Sequence, residues 1–175
     1  NIILQKILLD NLSHFGLIPI MKHIPGHGVT NKDSHLTMPI TKLSKVSLQD
    51  HIKIFKYFNK IPLAMTAHIK YLSWDKNNIA TFSKYIIDKI IRQKIGFKGL
   101  LMSDDLEMNA NVHDIKDAIR LSNISKLDII LECSSNLDKY IKIINSFEIS
   151  NNYLNFHKSH KLKQFKKKID LKSIN

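Results

Sequence analysis

Apolar residues fall along this chain in two rhythms. Four short runs, Leu17–Met21, Pro62–Thr66, Gly99–Met102 and Asp128–Leu131, are almost wholly apolar, and each ends abruptly on polar residues, "KH", "AH", "SDD" and "ECSS". Between them lie longer stretches in which apolar positions recur at helical spacing. The clearest is "SKYIIDKIIRQKI", where Ile86, Ile87, Ile90, Ile91 and Ile95 share one face and the charges lie opposite. The chain opens on another helical pattern, "NIILQKILLDNLSHFG", closed by Gly16. Short buried strands alternating with amphipathic helices predict successive β-α units around a parallel sheet, so the expected fold class is α/β. By this pattern the chain begins inside a helix that should follow an earlier strand.

In folds of this class the loops at the C-terminal ends of the strands converge, and the chemistry gathers there. Two polar clusters occupy such positions. The first, "KHIPGHGVTNKDSH" at residues 22–35, reads as a loop after the first strand, with Pro25 and Gly26 preventing a helix that would put His23 and His27 on one face. Its three histidines lack the helical His-x-x-x-His pair or paired cysteines of a zinc site, and no second cluster completes a ligand shell. Asp33 and His35, two residues apart, suit a general acid/base whose tautomer a carboxylate fixes, although Asp-x-His also commonly marks a turn. The second cluster, "MSDDLEM" at Met102–Met108, sets Asp104 and Asp105 at a strand end, where an acid serves either chemistry or the capping of the next helix.

Composition narrows the classes. With 175 residues and 43% hydrophobic content the chain can bury one real core. The formal charge is +12, but half of it sits in "HKSHKLKQFKKKIDLKSIN", where seven Lys face one Asp. That run lacks interleaved aromatics, so it reads as a solvated helix end or tail, and nucleic acid is not the expected partner. The single cysteine, Cys133, has no internal disulfide partner. No secretory pattern opens the sequence, and no apolar run reaches the roughly 20 residues of a membrane span; the expected location is cytoplasmic.

Taken in order, "KHIPGHGVTNKDSH", "AMTAHI" and "IIRQKIGFKGLLMSDDLEM" resemble the bacterial β-N-acetylglucosaminidase branch of glycoside hydrolase family 3, from about residue 12 to about residue 135. Two positions depart from the family pattern: Ile24 stands for a usual Phe, and Glu107 for a small or amide residue. The resemblance implies a (β/α)8 TIM barrel in which these four strands are the last four of eight. Residues 1–150 would then form the C-terminal half of the catalytic barrel, and 151–175 a Lys-rich helix or tail. It implies a retaining glycoside hydrolase that releases terminal β-linked N-acetylglucosamine, typically from muropeptides in peptidoglycan recycling. Residue by residue, it implies Asp104 as nucleophile, His35 oriented by Asp33 as acid/base, and Lys22 and His23 as contacts to sugar hydroxyls. His27 and Gly28 would shape the loop and His68 line the pocket wall. No metal or cofactor is called for. In the family the missing half holds the sugar ring through an Asp and an Arg, so a separate N-terminal half-barrel or self-association joins the glycan among the expected partners. The competing readings are an inactive remnant of such an enzyme and a basic nucleic-acid-associated protein.

Overall fold

The computed structural model describes residues 2–34, 36–108 and 113–158. Four strands form the main sheet: β1 (Ile20–Ile24), β3 (Leu63–Thr66), β5 (Leu100–Asp105) and β6 (Ile129–Leu131), all parallel and in the order β1-β3-β5-β6. Two short strands, β2 (Ile40–Thr41) and β4 (Lys70–Tyr71), pair separately in parallel. Helix α1 (Ile2–His14) precedes β1. Helices α2 (Lys45–His51) and α3 (Lys53–Tyr57) connect to β3, a π-helix (Ile86–Ile95) leads into β5, and α4 (Ile115–Ser125) leads into β6. Helices α5 (Leu137–Ser146) and α6 (Asn151–Lys158) follow.

The parallel ladder sets Met21, Ala64 and Leu101 side by side in one row. All three belong to a buried cluster with Leu48, Ile52 and Phe55 from α2, α3 and their junction, and with Ile86, Ile87, Ile90, Ile91 and Ile95 of the π-helix. The isoleucine face read from the sequence is therefore the face that covers the sheet. Each such side chain contributes about 1.5–3 kcal/mol on burial. Because strand side chains alternate, the row Leu63–Leu100 and its neighbour Met65–Met102 line the other face. Gly96 (φ 77°) ends the π-helix in the left-handed region. Gly99 lets β5 start against β3: a Cβ there would meet the Pro62 carbonyl oxygen at 2.3 Å.

The parallel α/β architecture and the four main strands agree with the sequence pattern. Two boundaries do not. β5 runs to Asp105, three residues past the expected end at Met102, so Ser103, Asp104 and Asp105 lie within the strand. The first strand starts at Ile20 and runs through Ile24, three residues beyond the expected end, because α1 closes at Gly16 (φ 72°) and the ladder to β3 begins only at the Ile20–Leu63 pair. Lys22 and His23 thus lie within a strand and not in the loop after it. Among the described residues no helix is long and apolar enough to cross a membrane. The Lys-rich run 159–175 lies outside the described residues.

Candidate active site

Parallel strands open their C-terminal ends on one side of the sheet, and three of them deliver a polar side chain there: His23 from β1, His68 just beyond β3, and Asp104 from β5. Asp104 is only 7% exposed. Its Oδ1 accepts the backbone N–H of Asp105 at 3.0 Å, and its Oδ2 lies 3.6 Å from His23 Nε2. The second distance is within ion-pair range but too long for a hydrogen bond. One carboxylate oxygen is thus fixed and the other faces an imidazole.

The two neighbours of Asp104 are engaged in holding strand ends together. Ser103 Oγ accepts the N–H of Leu131 at 2.8 Å. Asp105 Oδ1 accepts the N–H groups of Glu107 and Cys133, each at 3.1 Å, and so ties the turn after β5 to the turn after β6. The capping alternative for these acids does not hold, since α4 is capped by Asp114, whose side chain accepts the N–H of Asp117 at 2.9 Å. Glu107 accepts a hydrogen bond from Lys139 Nζ on α5, and this holds the lysine's pKa above its ordinary value. At Cys133 burial, and after it the Asp105 carboxylate, pushes the thiol pKa up, away from thiolate chemistry.

Past β1 the chain turns at Gly26 (φ 138°), whose carbonyl accepts the Tyr71 hydroxyl at 2.6 Å. A 3-10 turn, His27–Val29, then brings His27 back over His23, edge to face, with ring centroids 5.8 Å apart. No helix crosses Pro25–Gly26, yet the two imidazoles still meet. His27 Nε2 is 3.1 Å from Ser34 Oγ. Asp33 is exposed, and its carbonyl accepts the N–H groups of Leu36 and Thr37 at 3.2 and 3.1 Å, a turn. His35 lies outside the described residues, and its pairing with Asp33 with it. Lys22 is exposed on β1 and borders an apolar cavity of about 220 Å³ beneath α1, with Leu8, Leu9 and Phe55.

His68 is fully buried. Its Nδ1 lies 2.7 Å from Thr81 Oγ1 and its Nε2 lies 3.2 Å from the Asp105 carbonyl oxygen. Thr81 Oγ1 is in turn 2.9 Å from Thr66 Oγ1. Burial pushes the imidazole down to about 4, against the opposing pull of the Asp104 carboxylate and then of the hydrogen bond to the Asp105 backbone. This polar chain was not legible in the sequence beyond the position of His68 itself, because Thr66 and Thr81 carry no motif of their own. Among the described residues no three His, Cys, Asp or Glu side chains converge as metal ligands would.

Comparison with known proteins gives one consistent answer. Residues 4–162 match the model of the glycosyl hydrolase family 3 N-terminal domain. A β-hexosaminidase of Haemophilus ducreyi is 36% identical over 104 residues, 57% of this chain and 30% of that protein. A β-hexosaminidase of Neisseria meningitidis is 35% identical over 133 residues, 73% of this chain and 36% of that protein. Among solved structures, NagZ of Neisseria gonorrhoeae, in complex with N-trifluoroacetyl-D-glucosamine, superposes with a TM-score of 0.71 at 27% identity, over 90% of this chain and 50% of that one. The chain spans about a third of the length of the curated relatives it matches.

Proposed function

Because this chain belongs to glycosyl hydrolase family 3, we propose that it carries the catalytic side of a retaining β-N-acetylglucosaminidase, with its four strands the last four of an eight-stranded barrel. The observation that carries this reading is the placement of the "SDD" side chains: Ser103 and Asp105 tie neighbouring turns and strand ends together through backbone N–H groups, while Asp104, 7% exposed at the end of β5, sets its Oδ2 3.6 Å from His23 Nε2. Asp104 Oδ2 attacks the anomeric carbon as the bond to the leaving oxygen breaks, and His35, held by Asp33, gives that oxygen its proton. Water then attacks the glycosyl-enzyme, returning its proton to His35 and freeing the carboxylate. His23, beside Oδ2, and Lys22 are the contacts to sugar hydroxyls. Side chains meet the charges of the oxocarbenium-like transition state, so the reaction uses no cofactor.

The substrate is a terminal β-linked N-acetylglucosamine, with muropeptides of peptidoglycan recycling in the cytoplasm as its natural source. This rests on the kinship with β-hexosaminidases. Residues 1–150 form the barrel half, and 151–175 a basic helix or tail. The test is hydrolysis of an aryl β-N-acetylglucosaminide by this chain combined with the complementary barrel strands. Asp104→Ala is expected to abolish turnover, whereas Asp105→Ala retains a measurable rate. The reverse ranking overturns the assignment.

A further inference from the structure

We propose that His68 is a positioning residue: through the Asp105 carbonyl it holds the Asp105 peptide in place, and with it the orientation of the Asp104 carboxylate, an inference that rests on the reading of Asp104 as nucleophile. Hydrogen-bond roles follow from what each atom can do. A carbonyl oxygen only accepts, so His68 Nε2, 3.2 Å from the Asp105 oxygen, must carry the ring proton. The unprotonated Nδ1 then accepts from the Thr81 hydroxyl at 2.7 Å, a shorter contact than the 3.3 Å from that hydroxyl to the Ala67 carbonyl. With its proton so directed, Thr81 accepts from the Thr66 hydroxyl at 2.9 Å. The donation therefore runs Thr66 to Thr81 to His68 to Asp105.

Thr66, Thr81 and His68 are all fully buried. A broken link would leave a polar group without water to replace its partner, which locks the tautomer. The depressed pKa of the imidazole keeps it neutral across the physiological range. The brace acts beside a register shift: the β5–β6 ladder is irregular between Met102 and Asp105, and past the shift Asp105 pairs with Leu131 while the Leu106 N–H reaches the Leu131 carbonyl at 3.0 Å. Three further links hold Asp105 itself. The Asp105 N–H holds Asp104 Oδ1, its carboxylate takes two N–H groups from neighbouring turns, and its carbonyl takes His68.

The experiment is amide hydrogen exchange on the folded chain, followed by NMR, in wild type, His68→Leu, His68→Gln and Thr81→Val. In His68→Leu the Asp105 amide is expected to exchange about tenfold faster or more, while the Leu101 amide, held by Asp128, keeps its protection. His68→Gln, whose side-chain amide can donate to Asp105 and accept from Thr81, restores much of the difference. Nitrogen-15 shifts of the wild-type ring should place the proton on Nε2, and in Thr81→Val it should stay there, since the Asp105 carbonyl still needs a donor, while the Nδ1 resonance moves with the loss of its hydroxyl partner. Equal loss of protection at Asp105 and Leu101 would make His68 a core histidine only and overturn the proposal. A wild-type proton on Nδ1 would overturn it too, even where His68→Leu fails to fold. In a preparation that hydrolyses 4-methylumbelliferyl β-N-acetylglucosaminide, His68→Leu should lower kcat with KM within about twofold. Retained turnover of Asp104→Ala in that preparation counts against Asp104 as nucleophile, while the exchange data still decide the brace.

Discussion

In the proposed mechanism one imidazole, that of His35, both protonates the leaving group and deprotonates water, with Asp33, two positions earlier in the sequence, proposed to orient it. His35→Ala should therefore slow hydrolysis of glycosides with poor leaving groups far more than that of activated aryl glycosides. Equal losses on both, measured as kcat/KM, would make His35 structural. His68 is the opposite case. Its pKa is about 4 in the fold and 6.5 as the reference value, so between these two pH values the unfolded chain binds a proton that the native one does not. Stability therefore rises with pH through this window, and falls as pH is lowered from about 6.5 to 4, by roughly 3 kcal/mol in all. The facing charges, Asp104, Asp105 and His23, are part of that balance. Urea midpoints read by fluorescence of Trp74, the one tryptophan, should show the acid loss in wild type and a flatter curve in His68→Gln. At this scale the strand-end position of Asp104 was legible because its motif is local. The role of His68 was not, because its partners lie 13 and 37 residues away.

Between elements, one buried ion pair fastens the π-helix to the starts of β5 and β6. Arg92 donates to Asp128 at 2.6 Å and to the Gly99 carbonyl at 2.7 Å, and Asp128 also accepts the Leu101 N–H at 2.8 Å and a hydrogen bond from Ser150. The Asp128 side chain is 1% exposed. Removing one partner strands a buried charge, so Asp128→Ala is expected to cost about 3–5 kcal/mol in denaturant unfolding. A loss below about 1 kcal/mol would show that the pair is not a tie between these elements. The apolar runs announced β3, β6 and the start of β5 to within one residue, because a strand covered by helices must be apolar nearly throughout. The ends of β1 and β5 slipped because their last residues include Lys22 and His23 in one and Ser103, Asp104 and Asp105 in the other, polar side chains that an apolar-run reading assigns to a loop. β2 and β4, two residues each, are too short for any periodicity and exist through pairing with one another.

The sheet as a whole ends in two parallel edges, β1 and β6, and the β1 side carries Ile3 (73% exposed), Leu4, Phe15 (72% exposed), Leu17 and Ile20 in the open. Such edges and apolar patches invite pairing. The 175-residue chain by itself should therefore self-associate in sedimentation and show little or no glycosidase activity. A folded, monodisperse monomer turning over at an ordinary rate of about 1–1,000 per second would refute the half-barrel reading. Beside the four-stranded sheet the polar loop after β1 has a simple topology. Tyr71 pairs with Thr41 at the loop's far end and donates its hydroxyl to Gly26 at its near end, and burial keeps that phenol protonated. One tyrosine thus closes the segment into a ring whose circumference can change while its mouth stays fixed. Doubling such a ring costs only about 0.6 kcal/mol of closure entropy. The loop can therefore accept insertions at its apex and diversify around whatever it contacts, leaving β1 and β3 undisturbed.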